Sequence, residues 1–335
     1  MKSNTSGPGF TTLVQEFFCV RLIQQQNASA RTIASYRDTV RLLLDYLERV
    51  RKKRPTTLAM TDLDAPIITA FLDYLEKKRR NSARTRNVRF GAIRSFMRYA
   101  ATRDPASLPI AQRVLAIPFK RFARPALTFL SRDEVAAILE AADGSTWSGH
   151  RDRVLFALLY NTGARVSEAI ALRRSDVLLD TSRSVRLTGK GRKQRTVPLW
   201  KNTVAQLRAW ESKISKEPDA YLFPNRHGGP LSRSGVEKRL QNSVRAAADC
   251  CPSLRRKKVS PHTLRHTTAM HLLQSGVDIT VIALWLGHES TVTTHYYVEA
   301  NLTMKEEALA KLSEIPTEEV RFRAKDDLLK FLEDL

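Results

Sequence analysis

Acidic residues are scarce in this chain. Thirty-four Asp and Glu stand against 56 Lys and Arg in 335 residues, a formal net charge of +22. A surplus of that size attracts polyanions, of which nucleic acid is the most abundant in a cell. The basic residues are spread along the chain rather than gathered on one amphipathic segment, which disfavours an anionic membrane surface. Cysteine is sparse too. Cys19, Cys250 and Cys251 are too few for a disulfide framework, the vicinal pair cannot bridge without strain, and no Cys/His cluster has zinc spacing. No run reaches the roughly 18 apolar residues that span a bilayer. The polar start MKSNTSGPGF lacks a signal-peptide core, and no internal repeat is visible. A disulfide scaffold, a membrane-spanning protein and a repeat array are thereby disfavoured. The expectation is a reduced, soluble, intracellular protein that associates with nucleic acid.

What is present suits two folded domains. Hydrophobic residues make up 42% of the chain, and a single core rarely grows past about 250 residues. Thr11 to Gln24 reads as a helix with Leu13, Phe17, Val20 and Ile23 on its buried side. Ser29 caps a second helix reaching Arg51, with Ile33, Tyr36, Val40, Leu43, Leu44 and Leu47 along one side. Asp64 opens a third, carrying Phe71, Leu72 and Leu75, and Ser82 a fourth. The fourth holds Val88, Ile93, Phe96 and Met97 between Arg84, Arg86, Arg89, Arg94 and Arg98. Any one of these arginines suits a solvated face; as a set, with this net charge, they suit phosphate contact. Pro105, Pro109, Pro118 and Pro125 then break the pattern and predict a linker, with a boundary near Ala126 between domains 1–125 and 126–335.

The second domain reads as mainly helical with a small antiparallel β-sheet. Ser131 to Glu134 has capping-box form, and RVLFALLYNTG is an apolar helix stopped at Gly163. Ser184 to Leu199 forms two strands around a Gly- and Lys-rich turn, and helices follow from Val204, Gly235, Pro261 and Ile279. A tail from about Thr317, with Val320, Phe322, Leu328, Leu329, Leu332 and Leu335, reads as an amphipathic helix. It either closes its own domain or docks on a neighbouring subunit.

Several residues in this domain carry chemistry. Pro261 suits a helix start and puts His262 and Arg265 on one face, with Leu264, Thr268 and His271 turned toward a core. Arg265 should face a carboxylate or an anionic ligand, because arginine is rarely buried unpaired. His262 and His266 are four apart, as in HExxH, but the Glu is missing and Arg265 would set a cation beside the metal. Zinc is rejected, and no metal or other cofactor is expected. Arg165 opens the helix after Gly163, where free N–H groups favour anions; two arginines can grip one phosphate bidentately. Glu168, one turn on, is expected to orient a neighbour. Lys190, between Gly189 and Gly191, is a flexible ammonium on a turn of a common kind. Gly287 should end a helix and expose His288, and GHESTVTTHYY closes on Tyr296 and Tyr297. Two arginines, a lysine, two histidines and a tyrosine, with no acidic pair for a metal, describe metal-free phosphoryl transfer to a tyrosine nucleophile.

The segments TGARVSE, TGKGRKQRTVPL, SPHTLRHTTA and LGHESTVTTHYY, in that order and spacing, resemble the tyrosine recombinase (phage integrase) family, and the resemblance covers nearly the whole chain. It implies a helical, SAM-like core-binding domain followed by a catalytic domain. It implies Arg165 and Arg265 as phosphate-clamping arginines, Lys190 as the hairpin lysine that protonates the departing 5′-oxygen, and His262 and His288 as active-site histidines. The family's tyrosine usually lies nine residues after the last histidine and follows a Thr-Thr pair, which selects Tyr297; Tyr296 would point about 100° away on a helix. The implied activity is DNA cleavage and rejoining through a 3′-phosphotyrosyl intermediate, by a C-shaped clamp around DNA assembled as a homotetramer on two sites, with or without a partner recombinase and with the C-terminal helix exchanged between subunits. Integration, excision or transposition of a mobile element is the expected role, and chromosome-dimer resolution the alternative. A type IB topoisomerase-like enzyme and a non-catalytic DNA-binding protein stand further off. Because the first helix begins near Thr11, no additional N-terminal arm-site domain is expected.

Overall fold

The computed structural model describes residues 8–123, 127–180, 182–189, 191, 193–288, 294 and 297. Lys190, Tyr296 and the helix expected from Thr317 lie outside the described residues. The chain divides into two compact units, Met1–Pro125 and Ala126–Leu335.

In the first unit, α1 (Phe10–Glu16) runs directly into a π-helix, Phe17–Gln25. A π-helix bonds i to i+5, so its buried face advances by five residues rather than four. Leu13, Phe17 and Leu22 are accordingly buried, Val20 is only partly covered, and Ile23 is 49% exposed. The α-helical spacing named Val20 and Ile23 as core; the wider turn corrects both. Ser29, Asp64 and Ser82 then cap α2 (Ala30–Arg51), α3 (Ala65–Lys77) and α4 (Ala83–Arg103), each side chain accepting from the backbone N–H three residues on. Val88, expected inside α4, is 56% exposed, while Phe90, Ile93, Phe96 and Met97 are buried.

The segment expected to be linker folds back into this unit. Pro105 opens a 3-10 turn, Pro105–Ser107, and Pro109 lies in the first turn of α5 (Leu108–Leu115). A first turn leaves its N–H groups unpaired anyway, so neither proline breaks anything. Ile110, Ala111 and Val114 of α5 are buried with residues of α3 and α4. Two of the α4 arginines serve this packing. Arg86, 7% exposed, pairs with Glu76 at 3.5 Å. Arg94 donates to the carbonyls of Leu115 and Ile117 and lies over the rings of Phe90 and Phe119. Arg84 and Arg98 remain exposed.

In the second unit, Ser131 and Glu134 form the expected reciprocal cap of α6 (Arg132–Glu140). Helix α7 (Trp147–Thr162), buried on most sides, ends at Gly163 and is followed by the single turn α8 (Val166–Ala169). The sheet is antiparallel in the order β1 (Val177–Leu178), β2 (Ser184–Thr188), β3 (Gln194–Pro198), the first being a short strand that hydropathy alone did not disclose. Val185 pairs with Val197 and Leu187 with Arg195, so these four share the inward face. Helices α9 (Lys201–Glu211), α10 (Arg233–Cys250), α11 (Pro261–Gln274) and α12 (Ile279–Leu286) complete it. Leu155, Phe156, Leu159, Trp210 and Phe223 fill its core. No helix among the described residues is long and apolar enough to cross a membrane.

The π register has a direct check. Leu22→Ala should cost about 2–4 kcal/mol, whereas Ile23→Ala should stay within about 0.5 kcal/mol of wild type, as read from urea denaturation.

Candidate active site

Gly163 and Gly287 stop α7 and α12 with left-handed backbone, φ 59° and 64°. Both also sit where a side chain has no room: a Cβ at Gly163 would collide with Leu286, and one at Gly287 would lie 2.9 Å from the guanidinium of Arg195. The two helix ends are thus brought together, and Arg265 occupies the place between their carbonyls. It is 4% exposed, donating from Nη1 to the Gly163 carbonyl (2.6 Å) and from Nη2 to that of Leu286 (2.7 Å). Of the two partners expected for it, a carboxylate or an anionic ligand, the carboxylate is replaced by carbonyls at the negative ends of two helices. Burial and then the charge of Arg165 pull its pKa down to about 10, so it is still a cation at neutral pH.

Arg165 stands at the start of α8, where Glu168 reaches back to it. One carboxylate oxygen accepts from the Arg165 backbone N–H (2.9 Å), the other from its Nη1 (2.8 Å). Glu168 therefore orients a neighbour, as its spacing suggested. A second arginine shares it: Arg195 Nη2 donates to Glu168 at 2.7 Å while its Nε donates to the carbonyl of Trp285 at 2.9 Å. Burial alone would raise the pKa of Glu168; Arg195, then Arg165, outweigh it and hold it below the usual glutamate value. Arg195 was missed in the sequence although a signal was there. It lies two residues before Val197 on the inward face of β3, and an arginine on a core face needs a partner.

Four aromatic rings stand beside this cationic group. His262 and His266, one turn apart on α11, stack with centroids 6.3 Å apart; His266 meets Tyr297 at 5.7 Å, and Tyr297 stacks on His288 at 6.3 Å. Tyr297 is 3% exposed, packed among Met270, Leu273, Ile282 and Leu286. Its hydroxyl lies 3.0 Å from Nδ1 of His266. His288 shares a hydrogen bond with Thr294 at 2.8 Å. Burial and nearby positive charge drive both His266 and His288 down to about pKa 4, with Arg265 the leading cation for His288 and His262 the leading neighbour for His266. Burial also lowers His262 and raises Tyr297, the latter against the pull of Arg265 and Arg165. At neutral pH the site is a cluster of fixed arginines with neutral rings around a protonated phenol.

The structure thus gathers Arg165, Arg265, His262, His288 and Tyr297. Glu168 joins them in the orienting part expected of it, and the structure adds Arg195 and His266, the last of which the sequence presented only as a rejected metal ligand. Of the basic segment LRRKKV, Lys257 is occupied, bonding Glu134 (2.7 Å) and the Phe129 carbonyl (3.1 Å), while Arg255, Arg256 and Lys258 are exposed.

Comparison with known proteins shows the family of the chain. The phage integrase family matches residues 128–304, and the phage integrase N-terminal SAM-like domain matches residues 15–104. The chain is 48% identical over 331 residues to "Putative integrase/recombinase y4rC" of Sinorhizobium fredii (strain NBRC 101917 / NGR234), covering 99% of this chain and 100% of that protein. It is 32% identical over 302 residues to the tyrosine recombinase XerD of Staphylococcus aureus, covering 87% and 94% respectively. Among solved structures, the Tn1549 transposon integrase in complex with transposon right end DNA shares the fold, with a TM-score of 0.69 at 15% identity over 90% of this chain and 99% of that one.

Two outcomes are expected. Arg195→Leu leaves buried Glu168 with a single partner and should destabilise the protein by about 3 kcal/mol in chemical denaturation. The histidines set a pH trend. His266 and His288 titrate near 4 in the fold and near 6.5 when unfolded, so the unfolded chain binds more protons between those values. Stability is then complete above about pH 6.5 and is lost as pH falls toward 4; His288→Gln should flatten that slope in denaturation curves taken across the range.

Proposed function

The chain belongs to the phage integrase family of tyrosine recombinases, and on that premise we propose that it cuts and rejoins double-stranded DNA at specific sites with Tyr297 as nucleophile. The observation that carries the assignment is the placing of this one phenol beside two arginines that are held without a carboxylate cancelling the charge of the deeper one. Arg165 and Arg265 grip the non-bridging oxygens of the scissile phosphate, and His288 and His262 add donors to the charge that develops there. To help deprotonate Tyr297, His262 would have to lie next to its hydroxyl. Since the ring of His266 comes next to the phenol instead, His262 is better assigned to the phosphate, beside the Arg265 and Arg165 charges that act on it.

In the proposed reaction the Tyr297 oxygen bonds to phosphorus, the bond from phosphorus to the 5′-oxygen breaks, and the phenolic proton passes to solvent water as the new bond forms. Lys190 supplies a proton to the leaving oxygen. The product is a 3′-phosphotyrosine that keeps the energy of the broken diester, so a 5′-hydroxyl from a second duplex can reverse the step and exchange strands. No ATP is needed, and no metal is assigned a part. Binding rests on the exposed basic residues Arg49, Arg51, Lys52, Arg54, Arg84, Arg98, Arg255, Arg256 and Lys258. Phosphate contacts of this kind give a steep salt dependence. The DNA held by the Tn1549 transposon integrase and the integrase/recombinase name of the relative that spans the whole chain support DNA as the partner and integration or excision of a mobile element as the role. A tetramer on two sites, with the helix from about Thr317 exchanged between subunits and with or without a partner recombinase, is the assembly we propose, acting on DNA in the cytoplasm.

Tyr297→Phe should abolish the detergent-resistant protein–DNA adduct and leave gel-shift affinity near wild type, while Tyr296→Phe still forms the adduct in EDTA. An adduct from Tyr297→Phe at wild-type yield would refute the assignment.

A further inference from the structure

We propose that His266 is the positioning residue that aims the hydroxyl of Tyr297, an inference that rests on Tyr297 being the nucleophile. A buried phenol must give its proton to an acceptor, because leaving an O–H unpaired out of water costs a few kcal/mol. Among the described residues the one hydrogen-bond partner of the Tyr297 oxygen is Nδ1 of His266, at 3.0 Å. The ring of His288 runs 8° from parallel to the phenol ring, centroids 6.3 Å apart, so it helps to fix the plane of the ring while its own Nδ1 is engaged with Thr294. Stacking fixes the ring but leaves the hydroxyl free to rotate about its C–O bond. The bond to His266 removes that freedom.

The direction of the bond matters. A neutral imidazole offers one acceptor nitrogen and one donor. With Nδ1 as acceptor, the phenol proton points at His266 and both lone pairs of the oxygen stay available for phosphorus. With Nδ1 protonated, one lone pair would be spent on the histidine. Burial between His262 and the Arg265 charge keeps His266 neutral far below physiological pH, which leaves Nδ1 able to accept, as the buried phenol's need for an acceptor requires. The same depression makes His266 a weak base toward a phenol whose own pKa is raised. Its part is therefore geometric: it sets where the oxygen and its lone pairs stand when phosphate arrives, rather than drawing off the proton beforehand. Arg265, the preceding residue on α11, holds the phosphate side, so one helix turn positions both reactants.

Asparagine and glutamine separate this role from bulk packing, since the Asn amide can occupy the place of Nδ1 and the Gln amide reaches toward that of Nε2. The substrate is a duplex recovered by the wild-type protein from a randomised DNA library through covalent capture, remade with a nick so that the cleaved piece diffuses away. His266→Asn should capture DNA close to the wild-type rate. His266→Gln and His266→Phe should be slower by about 100-fold, the usual effect of misplacing a reacting group by an ångström, with unchanged DNA affinity and a Tm matching that of His266→Asn. Capture by His266→Phe at the wild-type rate, or equal slowing by Asn and Gln, would overturn the proposal. If His266→Phe is unstable, the Asn-to-Gln ratio decides alone. Tyr297→Phe run in parallel keeps the two claims apart: an adduct from it defeats the nucleophile, whereas its silence beside a fully active His266→Phe defeats only the positioning role.

Discussion

The guanidinium of Arg265 is buried against two backbone carbonyls, and the rest of the active site is arranged around that choice of partner. Taking an arginine out of water demands compensation, which a protein most often supplies with a carboxylate. The same unit does so elsewhere: Arg151, 1% exposed, is bonded through Nε and Nη2 to Asp152, and Lys257 is paired with Glu134. Those cations are neutralised and serve packing. At Arg265 the compensation comes from the carbonyls of Gly163 and Leu286, which carry partial charge only. Enough negative potential reaches the cation to keep it in place, and most of its charge remains for a ligand.

That arrangement depends on the two glycines. A helix ends with free carbonyls, and a left-handed residue after the last turn is the usual way of turning the chain aside there. Two such ends meet here because neither glycine has a side chain to hold them apart: Leu286 packs where a Cβ of Gly163 would be, and Arg195 where one of Gly287 would be. Arg195 in turn fastens the strand β3 to Glu168 and to the Trp285 carbonyl. Strand, single turn α8, and helices α7, α11 and α12 therefore share one knot of charged and carbonyl groups, and the phenol of Tyr297 packs beside it.

Burial, and after it the surplus of positive charge, explains the protonation states. Fixed arginines within reach of three histidines make a further cation expensive, so the imidazoles stay neutral. The phenol, pulled toward ionisation by the same arginines, is held back by burial. An arriving phosphodiester brings the missing negative charge, and with it the condition under which donors from neutral rings and fixed guanidinium groups act together.

Much of this was legible beforehand, where the signal is local. The caps at Ser29, Asp64, Ser82 and Ser131, the stops at Gly163 and Gly287, and the hairpin between Ser184 and Leu199 depend on a few neighbouring residues and their backbone preferences. The motif residues Arg165, His262, Arg265, His288 and Tyr297 could be named from the family resemblance, because the motifs that carry it are likewise short local runs. The π-helix after Glu16 could not, because the choice between four and five residues per buried step is made by what packs against Phe17 and Leu22. Helix α5 was hidden behind prolines that are harmless in a first turn, and its reason for folding is the apolar surface of α3 and α4. The carbonyl partners of Arg265, the hold of Arg195 on Glu168 and the contact between His266 and Tyr297 join residues 21 to 102 positions apart. Sequence by itself therefore determined which residues carry charge, where helices begin and stop, and which side chains are chemically able to act. Only the tertiary structure decided which of them meet, because burial, pairing and the remaining charge of a side chain are properties of its surroundings rather than of its position along the chain.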